Sequence, residues 1–216
     1  MARITCPSYG KHQCFLGSTG TGKSELALKE IDYFKHYVIV DTQESIIKKD
    51  ATYYSDPRAV IKNLSKKAHI VYRPKACFRN KLVWNWFFQQ LNDSSHNQRG
   101  KIHPLIIFID EIYQIGYGPS IPSSIPQGLA TCRQRHISYW IATQRPTNIP
   151  IPILTECTNL IVFYLKREDD KKYVASFGSN KTELLDAQLT LTKDLHNFII
   201  LSANDSGYQA YPAIKL

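Results

Sequence analysis

The stretch Gly17-Ser18-Thr19-Gly20-Thr21-Gly22-Lys23-Ser24 has the residue types and spacing to hold the phosphates of a nucleotide. Its glycines let the backbone curl so that successive N–H groups point inward, at the start of a helix whose dipole favours anions. Lys23 is placed to reach the β- and γ-phosphates, and the Ser24 hydroxyl to ligate Mg²⁺. A second group of chemical residues is Asp110-Glu111. Asp110 suits a Mg²⁺ held through a water ligand. Glu111 suits a base that orients and deprotonates an attacking water, which a hydrolase needs and a kinase does not. The third is Gln144, whose amide can donate to a phosphate oxygen and accept from that water. Each has a plainer alternative: a glycine-rich turn that matches by chance, an apolar strand leaving into a polar loop, and a glutamine that means nothing without its company.

These residues need elements to hold them. Cys14-Phe15-Leu16 is a short apolar run before the phosphate loop, and Leu26, Leu28, Ile31 and Phe34 continue it with helical spacing to about Lys35. Tyr37–Asp41 and His69–Tyr72 read as buried parallel strands. Asp56-Pro57 starts a helix through Leu64, and Asn80 caps an aromatic helix ending near Asn92. Within that helix Leu82 to Phe88 is either a buried face or an exposed partner-binding stripe. Asp93 to Lys101 is a polar loop. Leu105–Glu111 is the most strand-like run, and Gly116 to Pro126, with three prolines and two glycines, a long loop. Helix is expected over about Gln127 to Arg135, strand over Ile137 to Thr143 and again over Asn159 to Leu165. Helices then run from Glu168 to Phe177 and Thr182 to Gln188, before a terminal hairpin of Asn197–Leu201 and Tyr208–Tyr211. Strands alternating with helices predict an α/β fold, a mostly parallel sheet sandwiched by helices with a C-terminal β hairpin. Ligands of such sheets bind at the carboxyl ends of the strands. If the strand ending at Gln144 lies between the other two, its amide falls beside the γ-phosphate.

Totals narrow the class. A chain of 216 residues with 43% hydrophobic and 21% charged residues fits one globular domain, 1–216. The net charge of +9 favours an acidic partner such as nucleic acid over a merely solvated basic surface. Five scattered cysteines without CxxC spacing predict neither a zinc site nor a disulfide framework, and suit a reducing intracellular compartment. The first residues, Met-Ala-Arg-Ile-Thr-Cys-Pro, lack an apolar signal region, and no apolar run is long enough for a transmembrane segment. Asn180-Lys181-Thr182-Glu183 approximates the guanine-reading NKxD box, but ends in Glu and opens a helix, which disfavours a GTPase. Small kinases, which do not need the Asp-Glu pair, are disfavoured too.

Gly17–Ser24 as Walker A, Leu105–Glu111 as Walker B, and Ala142-Thr143-Gln144-Arg145-Pro146 together resemble the FtsK–HerA superfamily of DNA-pumping ATPases. The similarity continues through Arg133-Gln134-Arg135-His136-Ile137 and the Asn159–Leu165 strand, over roughly residues 10 to 178. It implies a RecA-like (ASCE) P-loop NTPase, usually a hexameric homo-oligomeric ring, that spends ATP with Mg²⁺ to drive double-stranded DNA through a central channel. A bare motor of this size is similar to the genome-packaging ATPases of tectivirus-type viruses. That likeness implies packaging of a viral genome into a preformed capsid, capsid or membrane vertex proteins as partners, and location at the virion packaging vertex and in the host cytoplasm. Loops near 94–101 and 116–126 would then face the channel. Cellular members carry an arginine in or near the strand matching Asn159–Leu165, and this chain has none there. The arginine finger that a neighbour contributes must be another residue. Arg133 and Arg135 rank ahead of Arg145 and Arg167, since a helix end is a stiff platform. A nucleotide-dependent assembly or secretion scaffold that binds ATP without pumping stays open as the alternative.

Overall fold

The computed structural model describes residues 8–94, 104–202 and 207–212. In chain order they form β1 (Gln13–Leu16), α1 (Lys23–Ile31), β2 (Tyr37–Asp41), β3 (Thr52–Tyr54), α2 (Pro57–Asn63), β4 (His69–Tyr72), α3 (Lys81–Asp93) and β5 (Leu105–Asp110). Then come α4 (Ser124–Thr131), β6 (Ile137–Thr143), α5 (Ile151–Thr155), β7 (Asn159–Val162), α6 (Glu168–Ala175), α7 (Lys181–Leu189), β8 (Phe198–Ser202) and β9 (Tyr208–Tyr211). The strands make one sheet in the order β3-β4-β2-β5-β6-β1-β7-β8-β9. From β3 to β7 every pairing is parallel, and β8 and β9 add an antiparallel hairpin.

The apolar runs are continuous because both faces are covered. Along β5, Leu105, Ile107 and Ile109 join the core under α2 to α7, while Ile106 and Phe108 join the core under α1. In β6, Ile137, Tyr139 and Ile141 face the first core, and Trp140 and Ala142 the second. A one-residue slip would exchange the faces, so packing fixes the register that aligns the strand ends. The aromatic helix resolves as a buried face: Trp84, Phe87, Phe88 and Leu91 are buried, whereas Leu82 is exposed. Among the described residues, no helix is long and apolar enough to cross a membrane.

The capping expectations hold. Asp56 accepts from the Arg58 N–H at 2.8 Å, Asn80 from the Val83 N–H at 3.1 Å and Asn180 from the Glu183 N–H at 3.3 Å. The last also makes Asn180-Lys181-Thr182-Glu183 a helix start. Several boundaries differ, among them the end of α1 at Ile31 rather than near Lys35. Helix α4 begins inside the expected 116–126 loop, since Pro126 falls in the first turn, where its missing N–H costs no hydrogen bond. It stops at Thr131, and Arg133–Arg135 is a separate 3₁₀ turn rather than its last turn. Strand β7 ends at Val162, although Phe163 and Leu165 remain buried. Edge strand β3 and short α5 have too few residues to show a period. Of the expected loop at 94–101, all beyond Ser94 lies outside the described residues, and Asp93 belongs to α3.

Candidate nucleotide site

Strand β1 delivers the chain to Gly17, where the side chain must be absent. A Cβ there would lie 2.7 Å from the Phe163 Cβ and 2.9 Å from the Thr21 Oγ1. Gly20 and Gly22 have φ of +76° and +95°, the left-handed region that glycine enters at little cost. The loop is anchored on both flanks. The Gly17 N–H donates to the Thr143 carbonyl at 3.2 Å and the Ser18 N–H to the Tyr164 carbonyl at 2.9 Å. The Thr21 hydroxyl and the Lys23 ammonium both donate to the Ser18 carbonyl, each at 2.8 Å. Lys23 is therefore folded back over a preformed loop at the first residue of α1. Burial lowers its pKa to about 8, against the opposing pull of Glu111 and Asp110.

Two strands away, β5 ends in Asp110, whose Oδ1 accepts the Ser24 hydroxyl at 2.6 Å. Ser24 and Asp110 thus present hard oxygen donors at one point, the chemistry Mg²⁺ prefers when phosphate and water complete its shell. Burial raises the Asp110 pKa; the Ser24 hydrogen bond and Lys23 oppose the rise, and Asp41 adds to it. Asp41, paired in register with Asp110, is a buried acid beside the site that sequence reasoning did not single out. It is fully buried and accepts from the N–H groups of Ser45 at 3.1 Å and Ile46 at 3.0 Å and from Arg73 Nε at 3.0 Å. The signal was available: Tyr-Val-Ile-Val-Asp, like the run before Asp110, is an apolar strand ending in an acid.

Glu111 follows with φ of +67°, a conformation that is strained for a residue bearing a Cβ and that clusters at functional sites. Its Oε1 accepts the Thr143 hydroxyl at 3.3 Å, and its carboxylate also accepts from the Gln144 backbone N–H. Burial raises its pKa, while Lys23, the Gln144 N–H and Thr143 pull it down. Strand β6 lies between β1 and β5, which meets the condition set for Gln144. Its Oε1 accepts the Thr19 hydroxyl at 2.7 Å. Lys23, Ser24, Asp110, Glu111 and Gln144 therefore meet along one edge of the sheet.

The arginines do not join them. Arg133 and Arg135 precede β6, at the amino ends of the strands and away from the phosphate loop. Arg133 pairs with the Glu156 carboxylate at 3.5 Å and also donates to that residue's carbonyl. Arg135 donates to the Asn92 carbonyl at 3.0 Å. Arg145 and Arg167 lie at the nucleotide edge. Arg145 is paired at 3.1 Å with the buried Asp170, whereas Arg167 is 54% exposed and pairs at 3.5 Å with Asp169.

This architecture is shared with solved structures. The genome packaging NTPase B204 of Sulfolobus turreted icosahedral virus 2, in complex with sulfate, superimposes with a TM-score of 0.77 at 18% identity, covering 94% of this chain and 97% of that one. The same protein in complex with ATP-gammaS gives 0.75 at 17% identity, covering 95% and 98%. The pCW3 conjugation coupling protein TcpA gives 0.53 at 13% identity, covering 95% of this chain but 61% of its own. No family model matches the sequence, and no curated protein does. The chain thus has the P-loop NTPase fold of a viral packaging protein over nearly its full length.

Proposed function

We propose that this chain is an ATPase of the FtsK–HerA type that translocates double-stranded DNA, packaging a viral genome into a preformed capsid. It acts as a homo-oligomeric ring, hexameric by that resemblance, docked on capsid or membrane vertex proteins at the packaging vertex of the virion in the host cytoplasm. One observation carries the reading: phosphate loop, Walker B acids and Gln144 converge on one sheet edge, in a fold shared end to end with a genome packaging NTPase.

The residues have distinct tasks. The N–H groups of Thr19 to Ser24 and the Lys23 ammonium bind the phosphates, the ammonium exchanging the Ser18 carbonyl for phosphate oxygen. Ser24 and Asp110 would hold Mg²⁺, which when bound neutralises charge on the phosphates. Glu111, fixed by Thr143 and the Gln144 N–H, aligns a water and takes its proton on a carboxylate oxygen. The Gln144 amide contacts the terminal phosphate and registers its loss.

The net charge of +9 supports contacts to DNA phosphates with little sequence preference, so binding should weaken steeply with salt. The test is ATP turnover with and without duplex DNA. Stimulation by DNA of any sequence, lost in Lys23→Ala, is expected. Turnover indifferent to DNA would favour the non-pumping scaffold, and full activity of Lys23→Ala would remove the site assignment.

A further inference from the structure

The turn between α7 and β8 lies against the phosphate loop. A Cβ on Gly20 would stand 3.3 Å from the Lys193 Cε and 3.8 Å from its Nζ. A Cβ on Gly22 would stand 3.5 Å from the His196 Cβ and 3.6 Å from its Nδ1. Side chains of the turn therefore lie in van der Waals range of the loop at residues 20 and 22, where positive φ already favours glycine.

The turn is held rather than draped. Asn197 clamps its two ends, accepting the Thr192 N–H and donating to the Thr190 carbonyl, each at 3.0 Å. The next residue, Phe198, is buried and packs on Phe163 with ring centroids 5.2 Å apart, and Phe163 is the residue that fills the space beside Gly17. Loop and turn therefore share one anchor. His196 adopts φ of +50°, and its buried Nδ1 has no hydrogen-bond partner among the described residues. A left-handed non-glycine residue next to an unpaired buried nitrogen is costly structure, held in place by the clamp around it.

Lys193 lays its stem along Gly20 and, among the described residues, has no ion-pair partner. Asp194, beside it in sequence, also makes no ion pair among them. The ammonium thus lies, uncompensated among the described residues, beside a glycine-rich loop at a helix start, a backbone geometry that suits an anion.

We infer that the 192–197 turn is a second wall of the nucleotide site and that Lys193 is a further phosphate-binding cation supplied by the same chain. This rests on reading residues 17–24 as the ATP site. It gives the segment leading into the C-terminal hairpin a direct part in holding the triphosphate.

Binding of a non-hydrolysable ATP analogue, with inorganic triphosphate as a competing probe, tests it in the full chain. Lys193→Ala should weaken both about tenfold, the effect of losing one charge-assisted hydrogen bond at a partly exposed site. Lys193→Arg should stay within about threefold of wild type, because the positive charge is kept. Wild-type affinity in Lys193→Ala, with Lys23→Ala defective, would overturn the inference and leave the ATP site standing. Weaker analogue binding with unchanged triphosphate binding would overturn the phosphate assignment. Equal losses in the alanine and arginine variants would show that charge is not what Lys193 supplies. Unimpaired binding in Lys23→Ala would bring down the site and this inference together.

Discussion

The Thr19 hydroxyl donates to the Gln144 side-chain carbonyl at 2.7 Å, joining the tip of the phosphate loop to the end of β6. The bond occupies the amide's acceptor and leaves its NH₂ group to donate elsewhere. On the proposed function, that NH₂ group would serve the terminal phosphate, with Thr19 fixing its orientation. Gln144→Ala should lower kcat on the order of a hundredfold, as loss of one preorganised donor does, with little change in nucleotide affinity. Thr19→Val, which frees the amide to rotate, should show a smaller loss of the same kind. Steady-state turnover paired with analogue binding distinguishes this from a general binding defect.

Adjacent acids should fail differently. Glu111→Gln keeps the shape and the Thr143 contact but cannot accept a proton, so it should bind ATP normally and turn over at least a hundredfold more slowly. Asp110→Asn should weaken the response to Mg²⁺, shifting the Mg²⁺ titration of activity to higher concentration. Normal turnover by Glu111→Gln would place the base elsewhere.

Much of this was legible because burial and chemistry coincide at strand ends. Val-Ile-Val-Asp and Ile-Ile-Phe-Ile-Asp-Glu are apolar enough to require two covered faces, and their acids then have only the carboxyl edge to occupy. What was hidden depends on long-range pairing. The three residues of β3 become a strand only because β4 offers a free edge. The Gln144 argument was conditional on strand order, which no local pattern determines. Lys193 follows the phosphate loop by some 170 residues, and only the antiparallel return of β8 beside β7 brings its turn there.

Ionisation of the site should shape its pH profile. Free Lys23, with a pKa of about 8, loses its charge as pH rises through that value, whereas bound phosphates would hold the proton on. Hence kcat/KM, which reports the free enzyme, should fall above about pH 8 while kcat persists. On the acid side, burial raises the pKa of Glu111 in the free enzyme, so kcat/KM should fall as pH drops, starting above the ordinary carboxylate range. A profile in which both parameters fall together at high pH would contradict the Lys23 assignment.

Stability should respond to His12. Its Nδ1 accepts the Tyr139 N–H and its Nε2 meets the Leu129 carbonyl, each at 2.9 Å, so the neutral ring bridges β6 and α4. Burial, helped by Arg133, lowers its pKa to about 4. Between that value and the ordinary 6.5, the unfolded chain binds a proton that the folded chain refuses. Stability is therefore complete above about pH 6.5 and declines as pH falls, by on the order of 3 kcal/mol near pH 4. Denaturant unfolding of wild type and His12→Gln should show this slope only in wild type, even though the variant is less stable throughout.

The arginines allow a test of assembly. Arg133 and Arg135 lie at the amino ends of the strands, so any catalytic role they have must be played in a neighbour's site. Arg145, by contrast, stands at its own nucleotide edge and is tied to buried Asp170. Arg133→Ala or Arg135→Ala, inactive alone, should regain activity when mixed with Glu111→Gln. A mixed ring then contains interfaces with an intact base on one side and an intact arginine on the other. Arg145→Ala should not be rescued, because a defect within the subunit's own site leaves no complete interface in such a mixture. The same logic requires specific activity to rise with protein concentration. Rescue of Arg145→Ala but of neither other arginine would move the finger to the nucleotide edge, and constant activity on dilution to a monomer would remove the ring from the mechanism.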